Sequence, residues 1–189
     1  RGTDRTLLEP FLNAAKQLEA EGVRAITTTC GFLSLFREEM SATVEIPVFT
    51  SALLQAPMVS RMIGGKRAVG IVTANSQALN DEHLRGAGID RSKMRIVIAG
   101  MEDAEEFVRA FLHDSGDLNV GKMEMETVEV CRKLVTSHRE IGAVVFECTN
   151  LSPYSKAVQD EIGLPVFDFV SLANLVYYSV VRKEFKGFM

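Results

Sequence analysis

Short β-branched runs alternate with helix-periodic stretches along almost the whole chain, and that alternation leaves few folds open. Residues 23–29, 46–49, 68–72, 94–99, 142–146 and 165–167 read as strands. Between them, apolar residues recur at helical spacing over 7–21, 33–40, 51–63, 76–85, 104–113, 123–139 and 153–161, and again from Ser171 through Val180. Gly22, Gly64-Gly65 and Gly163 stand where helices should stop. Thr6-Leu7-Leu8-Glu9 has the pattern of a capping box, and Pro57 predicts a kink or a later start for the third helix. Gly64-Gly65-Lys66 is a helix stop and not a phosphate loop, because Arg67 follows the lysine.

Strand–helix alternation predicts an α/β fold with a mostly parallel sheet and helices on both faces. Two segments resemble each other: Pro47-Val48-Phe49 and Pro165-Val166-Phe167 each follow a cysteine turn. The expected architecture is therefore two pseudo-symmetric lobes. Residues 1–64 begin the first, which about 165–189 complete; residues 65–164 form the second. The chain opens at Arg1 on a helical pattern, so the first lobe is expected to lack an N-terminal strand.

Chemistry concentrates at the strand-to-helix turns. Thr27-Thr28-Thr29-Cys30-Gly31-Phe32 follows one strand, and Glu147-Cys148-Thr149-Asn150 follows another. Ligands of open α/β sheets bind beyond the carboxyl ends of the strands. A thiol with an ordinary pKa of about 8.5 can exchange protons near neutrality when its surroundings help. Two such thiols facing one flat carbanion could remove a proton from one face and return it to the other. Cys131 lies mid-helix with Val128, Leu134 and Val135 and is read as core. His83 and His113 read as surface or helix-end residues, and His138, seven residues after Cys131, makes no metal site with it, because zinc asks for three or four ligands.

Composition narrows the partners. The net charge is −4 with no basic block, which argues against nucleic acid and against an anionic membrane surface. No apolar run reaches the length of a membrane span. Three cysteines, without framework spacing, suggest a reducing, cytoplasmic setting.

Four segments resemble the aspartate/glutamate/hydantoin racemase superfamily: Thr28-Thr29-Cys30-Gly31-Phe32, Pro47-Val48-Phe49-Thr50-Ser51, Val69-Gly70-Ile71-Val72-Thr73 and Glu147-Cys148-Thr149-Asn150. The resemblance spans roughly residues 23–180. It implies two α/β lobes with a site between them, and a cofactor-independent enzyme that uses two cysteines without pyridoxal phosphate or metal. By the same resemblance, Cys30 and Cys148 match the catalytic acid and base. Gly31, Thr149 and Asn150 match donors around a substrate carboxylate, and Thr29, Ser51 and Thr73 match the polar rim of the cleft. Glu147, beside Cys148, could serve as a base that assists it.

Gly31-Phe32 stands where the family commonly has Asn-Thr, and Asn150 where many members have His or Glu. The expected substrate is a small carboxylate, and a homodimer rests on the resemblance alone. The first expectation is racemisation of an amino acid or related acid. Decarboxylation or cis–trans isomerisation on the same scaffold, or ligand binding without turnover, are the alternatives.

Overall fold

β-Branched residues on the two middle strands determine where the core forms. The computed structural model describes residues 5–113 and 115–187. Among them, six strands form two sheets in which every pair is parallel. In the smaller sheet β1 (Ile26–Thr27) pairs β2 (Val48–Phe49). In the larger, β3 (Ala68–Thr73), β4 (Ile96–Gly100), β5 (Ile141–Phe146) and β6 (Val166–Phe167) lie in the order β4-β3-β5-β6.

Both β3 and β5 are buried along their whole length. Alternate residues of each strand point to opposite faces, so the two strands supply two cores. Val69, Ile71, Ala143 and Val145 pack on one face with Leu53, Val59, Leu84 and Ile89. Ala68, Val72, Val144 and Phe146 pack on the other with Met101, Phe107, Met123 and Leu151. Burying a side chain of this size is worth about 1.5–3 kcal/mol, so these two strands anchor the rest. A smaller cluster of Ala15, Ile26 and Val44 seats α1 (Leu8–Ala20) and α2 (Arg37–Thr43) on the two-stranded sheet.

The other helices are α3 (Ala56–Met62), α4 (Asp81–Gly86), α5 (Glu105–Phe107), α6 (Val120–Ser137), α7 (Ser155–Ile162) and α8 (Phe169–Val180). Several begin elsewhere than periodicity predicts. The stretches expected to be helical from Leu33, Ser51 and Pro153 open as 3-10 turns, Gly31–Phe36, Ala52–Gln55 and Thr149–Tyr154. Pro57 then sits in the first turn of α3, where its missing N–H has no helical partner to lose. The helix expected from Ser76 starts only at Asp81. Asn75 first closes a turn by accepting from the Gln77 and Ala78 amides, and Asn80 caps α4.

Asp168, not Ser171, caps α8, with Ser171 as the reciprocal partner. α1 likewise has Leu7 as its N-cap, so the Thr6 capping box does not start it. After Phe107 the chain continues as a π-helix, Val108–Leu112.

The 165–189 segment, expected to complete the first lobe, enters the four-stranded sheet through β6. α8 then packs against the 52–55 and 149–154 turns. No helix among the described residues is long and apolar enough to cross a membrane.

Candidate active site

The first thiol stands where β1 gives way to a helical turn. Cys30 is extended (φ −121°, ψ 116°) and its carbonyl accepts from the Leu33 amide at 3.1 Å, closing the 3-10 turn. The preceding threonines hold this loop to β2: Thr27 Oγ1 donates to the Phe49 carbonyl at 2.9 Å and Thr28 Oγ1 to that of Thr50 at 2.5 Å. From the other side α4 grips the turn. Ser34 Oγ donates to the His83 carbonyl at 2.9 Å, Arg37 Nε donates to that of Gly86 at 2.6 Å, and the Phe32 ring meets His83 edge-on at 4.9 Å. Gly86 allows this approach; a Cβ there would lie 2.0 Å from the Ser34 carbonyl oxygen.

The second thiol follows β5. Cys148 is half-buried and its carbonyl accepts from Leu151 at 3.1 Å. The two turns touch: Thr149 Oγ1 donates to the Thr29 carbonyl at 2.7 Å.

Their thiols differ. Cys30 reaches solvent as a residue, yet packing around its sulfur strips water and pushes its pKa up. The Phe32 amide opposes that rise, the Glu147 carboxylate adds to it, and the Leu33 amide opposes it again. Cys148 is pushed up to about 12, by burial first and then by Glu147; the Asn150 amide lowers it and the charge of Cys30 raises it. The two sulfurs thus act on each other electrostatically. Cys131 is also raised to about 12, by burial alone, in the apolar core as the sequence suggested.

Between the turns lies Glu147, only 2% exposed. Its amide donates to the Val72 carbonyl at 2.8 Å, continuing the β3–β5 ladder by one bond. Its carboxylate accepts from Thr73 Oγ1 at 2.7 Å and lies against Gly31, with the Ala74 and Gly31 amides close enough to stabilise its charge. Burial raises its pKa and these three donors lower it again, with burial the larger effect.

Cys30, Cys148, Thr29, Gly31, Thr73, Thr149 and Glu147 are therefore joined through direct contacts or mutual charge effects. Asn150 enters through its amide, and its side chain is exposed. Ser51 is buried and spends its hydroxyl on the Leu53 amide at 3.1 Å, capping the 52–55 turn. Sequence reasoning passed over Thr50. Its Oγ1 is buried without a hydrogen-bond partner among the described residues, and its place just after the Pro-Val-Phe strand was the available signal. It also missed the Phe32–His83 contact, since nothing local brings α4 to that turn. A cavity of about 480 Å³ beside α4 is lined by Asp81, Leu84, Arg85 and Arg91 among others, and by neither cysteine.

The model of the Asp/Glu/Hydantoin racemase family matches residues 2–174. A dimethylsulfoniopropionate lyase of Emiliania huxleyi (strain CCMP1516) is 33% identical over 172 residues, covering 87% of this chain and 50% of that protein. Another dimethylsulfoniopropionate lyase, from Durusdinium sp. clade D, is 32% identical over 168 residues, covering 87% and 55%. The chain spans about half the length of these relatives.

Among solved structures, arylmalonate decarboxylase aligns with a TM-score of 0.59 at 16% identity, over 96% of this chain and 76% of that one. An aspartate racemase homologue from Pyrococcus horikoshii OT3 aligns at 0.61 and 20%, over 90% and 73%. At these identities the structures establish the shared α/β fold.

Proposed function

The chain belongs to the Asp/Glu/hydantoin racemase family, and on that footing we propose that it moves a proton at the carbon beside the carboxylate of a small acid. Cys30 is the base and Cys148 the acid. The observation that supports this best is the contact of the two cysteine turns through Thr149 and Thr29, with each thiol feeling the same carboxylate. The thiols address the carbon next to the substrate carboxylate.

In racemisation the Cys30 thiolate takes the α-proton, the electron pair passes into the enolate, and the Cys148 thiol returns a proton on the opposite face. The reverse reaction exchanges the roles. A second reading is elimination. The same thiolate takes the α-proton, the electron pair forms a carbon–carbon double bond, and a leaving group departs from the neighbouring carbon with its bonding electrons. Two findings favour it: the relatives named dimethylsulfoniopropionate lyases, and the inequality of the thiols, because elimination needs one strong base and no second one.

The test is to incubate the chain in deuterated water with aspartate, glutamate, hydantoin and dimethylsulfoniopropionate, and to follow α-deuteration, optical rotation and release of dimethyl sulfide. Cys30→Ser is expected to lower α-deuteration by about 10²–10⁴-fold, the size of a lost acid–base group. Cys148→Ser is expected to be equally damaging if the reaction is racemisation, and milder if it is elimination. Full exchange in Cys30→Ser would defeat the assignment.

A further inference from the structure

Glu147 has the wrong surroundings for the general base its sequence position suggests. A base needs a free lone pair aimed at the proton it takes. The Glu147 carboxylate instead accepts from Thr73 Oγ1 and packs against Gly31, with the Ala74 and Gly31 amides close enough to lower its pKa, and it acts on Cys148 only through space. Two of these donors are main chain. The carboxylate therefore senses where the backbone of two other segments lies. Among the described residues it has no cationic partner. A carboxylate buried on neutral donors alone is expensive, and a hydrophobic core has no need of one.

Gly31 completes the picture. A Cβ at that position would lie 2.1 Å from Glu147 Oε1 and 2.6 Å from its carboxyl carbon. Only glycine leaves the space that the carboxylate fills. Glu147 is covalently adjacent to Cys148, and its carboxylate packs against Gly31, the residue covalently adjacent to Cys30.

We propose that Glu147 is a positioning residue: its carboxylate holds the Gly31 amide and so fixes the Cys30 turn against the ends of β3 and β5, beside Cys148. The role rests on the proton-transfer reading for its purpose, since two acid–base groups must meet one substrate within a few tenths of an ångström of their working places. Thr149 and Thr29 form the outer link between the same turns, and Glu147 the inner one.

Three measurements on the full chain test this. In the unsubstituted protein, the Gly31 amide should exchange with deuterated water at least about tenfold more slowly than an open amide, as a charge-assisted hydrogen bond requires. Glu147→Asp keeps the charge and withdraws it by one methylene. It should free the Gly31 amide and lower kcat about tenfold, with KM within about threefold, on whichever acid the unsubstituted chain turns over. Gly31→Ala should show the same loss, and adding Glu147→Asp should recover part of it, because the shorter side chain leaves room for the new methyl group.

Fast exchange of Gly31 in the unsubstituted chain would overturn the proposal even if every variant failed to fold. So would a Glu147→Asp protein with intact kcat and a protected Gly31. A protein that turns over none of the acids would defeat the proton-transfer reading. Gly31 exchange, together with the rate of Cys30 alkylation in Glu147→Asp, would still decide the role of Glu147: a free Gly31 and an altered alkylation rate support it, and unchanged values overturn it.

Discussion

At the scale of single residues, three thiols in one chain behave differently because their surroundings differ. The Cys30 thiol is held above the ordinary thiol range by lost hydration and by Glu147, although two amides pull it down. The sign follows directly: a raised acid is mostly protonated at neutral pH, and its thiolate grows about tenfold per pH unit until the pKa is passed. Alkylation of Cys30 by iodoacetamide, and kcat/KM with it, should therefore keep rising through pH 9. A plateau already reached at pH 7 would contradict this. Cys148 and Cys131, both pushed up to about 12, should alkylate far more slowly in the folded protein. Peptide mass spectrometry of a partial reaction should find the label on Cys30 first. Cys131→Ala should leave turnover unchanged and cost about 1 kcal/mol in urea unfolding, because it removes one buried sulfur from the core.

At the scale of elements, the Cys30 turn is held by a helix from elsewhere in the chain. α4 docks on it through Ser34, Arg37 and Phe32, and the close approach of Gly86 allows that docking. Gly86→Ala inserts a methyl group where only 2.0 Å is free. It should cost about 1–3 kcal/mol, as overpacking does, and reduce turnover as the turn shifts; chemical denaturation and steady-state rates read the two effects. α8 depends on one carboxylate in a similar way. Asp168 accepts from the Ser171 amide at 2.8 Å and from Ser155 Oγ at 2.7 Å, which ties the start of α8 to the start of α7. Asp168→Ala should cost about 1–2 kcal/mol, somewhat more than a simple lost cap, because Ser155 also loses its acceptor. The 3-10 openings of the expected helices have a local logic as well. Each follows an extended residue, Cys30, Ser51 or Cys148, from which the chain must turn sharply.

At the scale of the whole molecule, the site exists because the two sheets end side by side. Thr149→Val removes the hydroxyl that joins the two cysteine turns across 120 residues of sequence. It should lower kcat severalfold while changing stability by less than about 1 kcal/mol, the net worth of one partly exposed hydrogen bond. Melting curves run beside rate assays would separate the two.

The parts of this arrangement visible in the sequence are the local ones. β-Branched runs such as 68–72 and 142–146 form buried strands, and Cys30 and Cys148 each sit just past a strand, because side-chain alternation and turn chemistry act over a few neighbours. The α/β class and the parallel sheets followed from the same alternation. Periodicity could not tell a 3-10 turn from an α-helix. Nor could it find the Asn80 and Asp168 caps, since a cap depends on where the backbone leaves its extended path. The Glu147–Gly31 contact, the Thr149–Thr29 bond and the pressure of α4 on the Cys30 turn were decided only by tertiary structure. They join segments far apart in the chain, and a residue's own neighbours carry no record of what folding will bring against it.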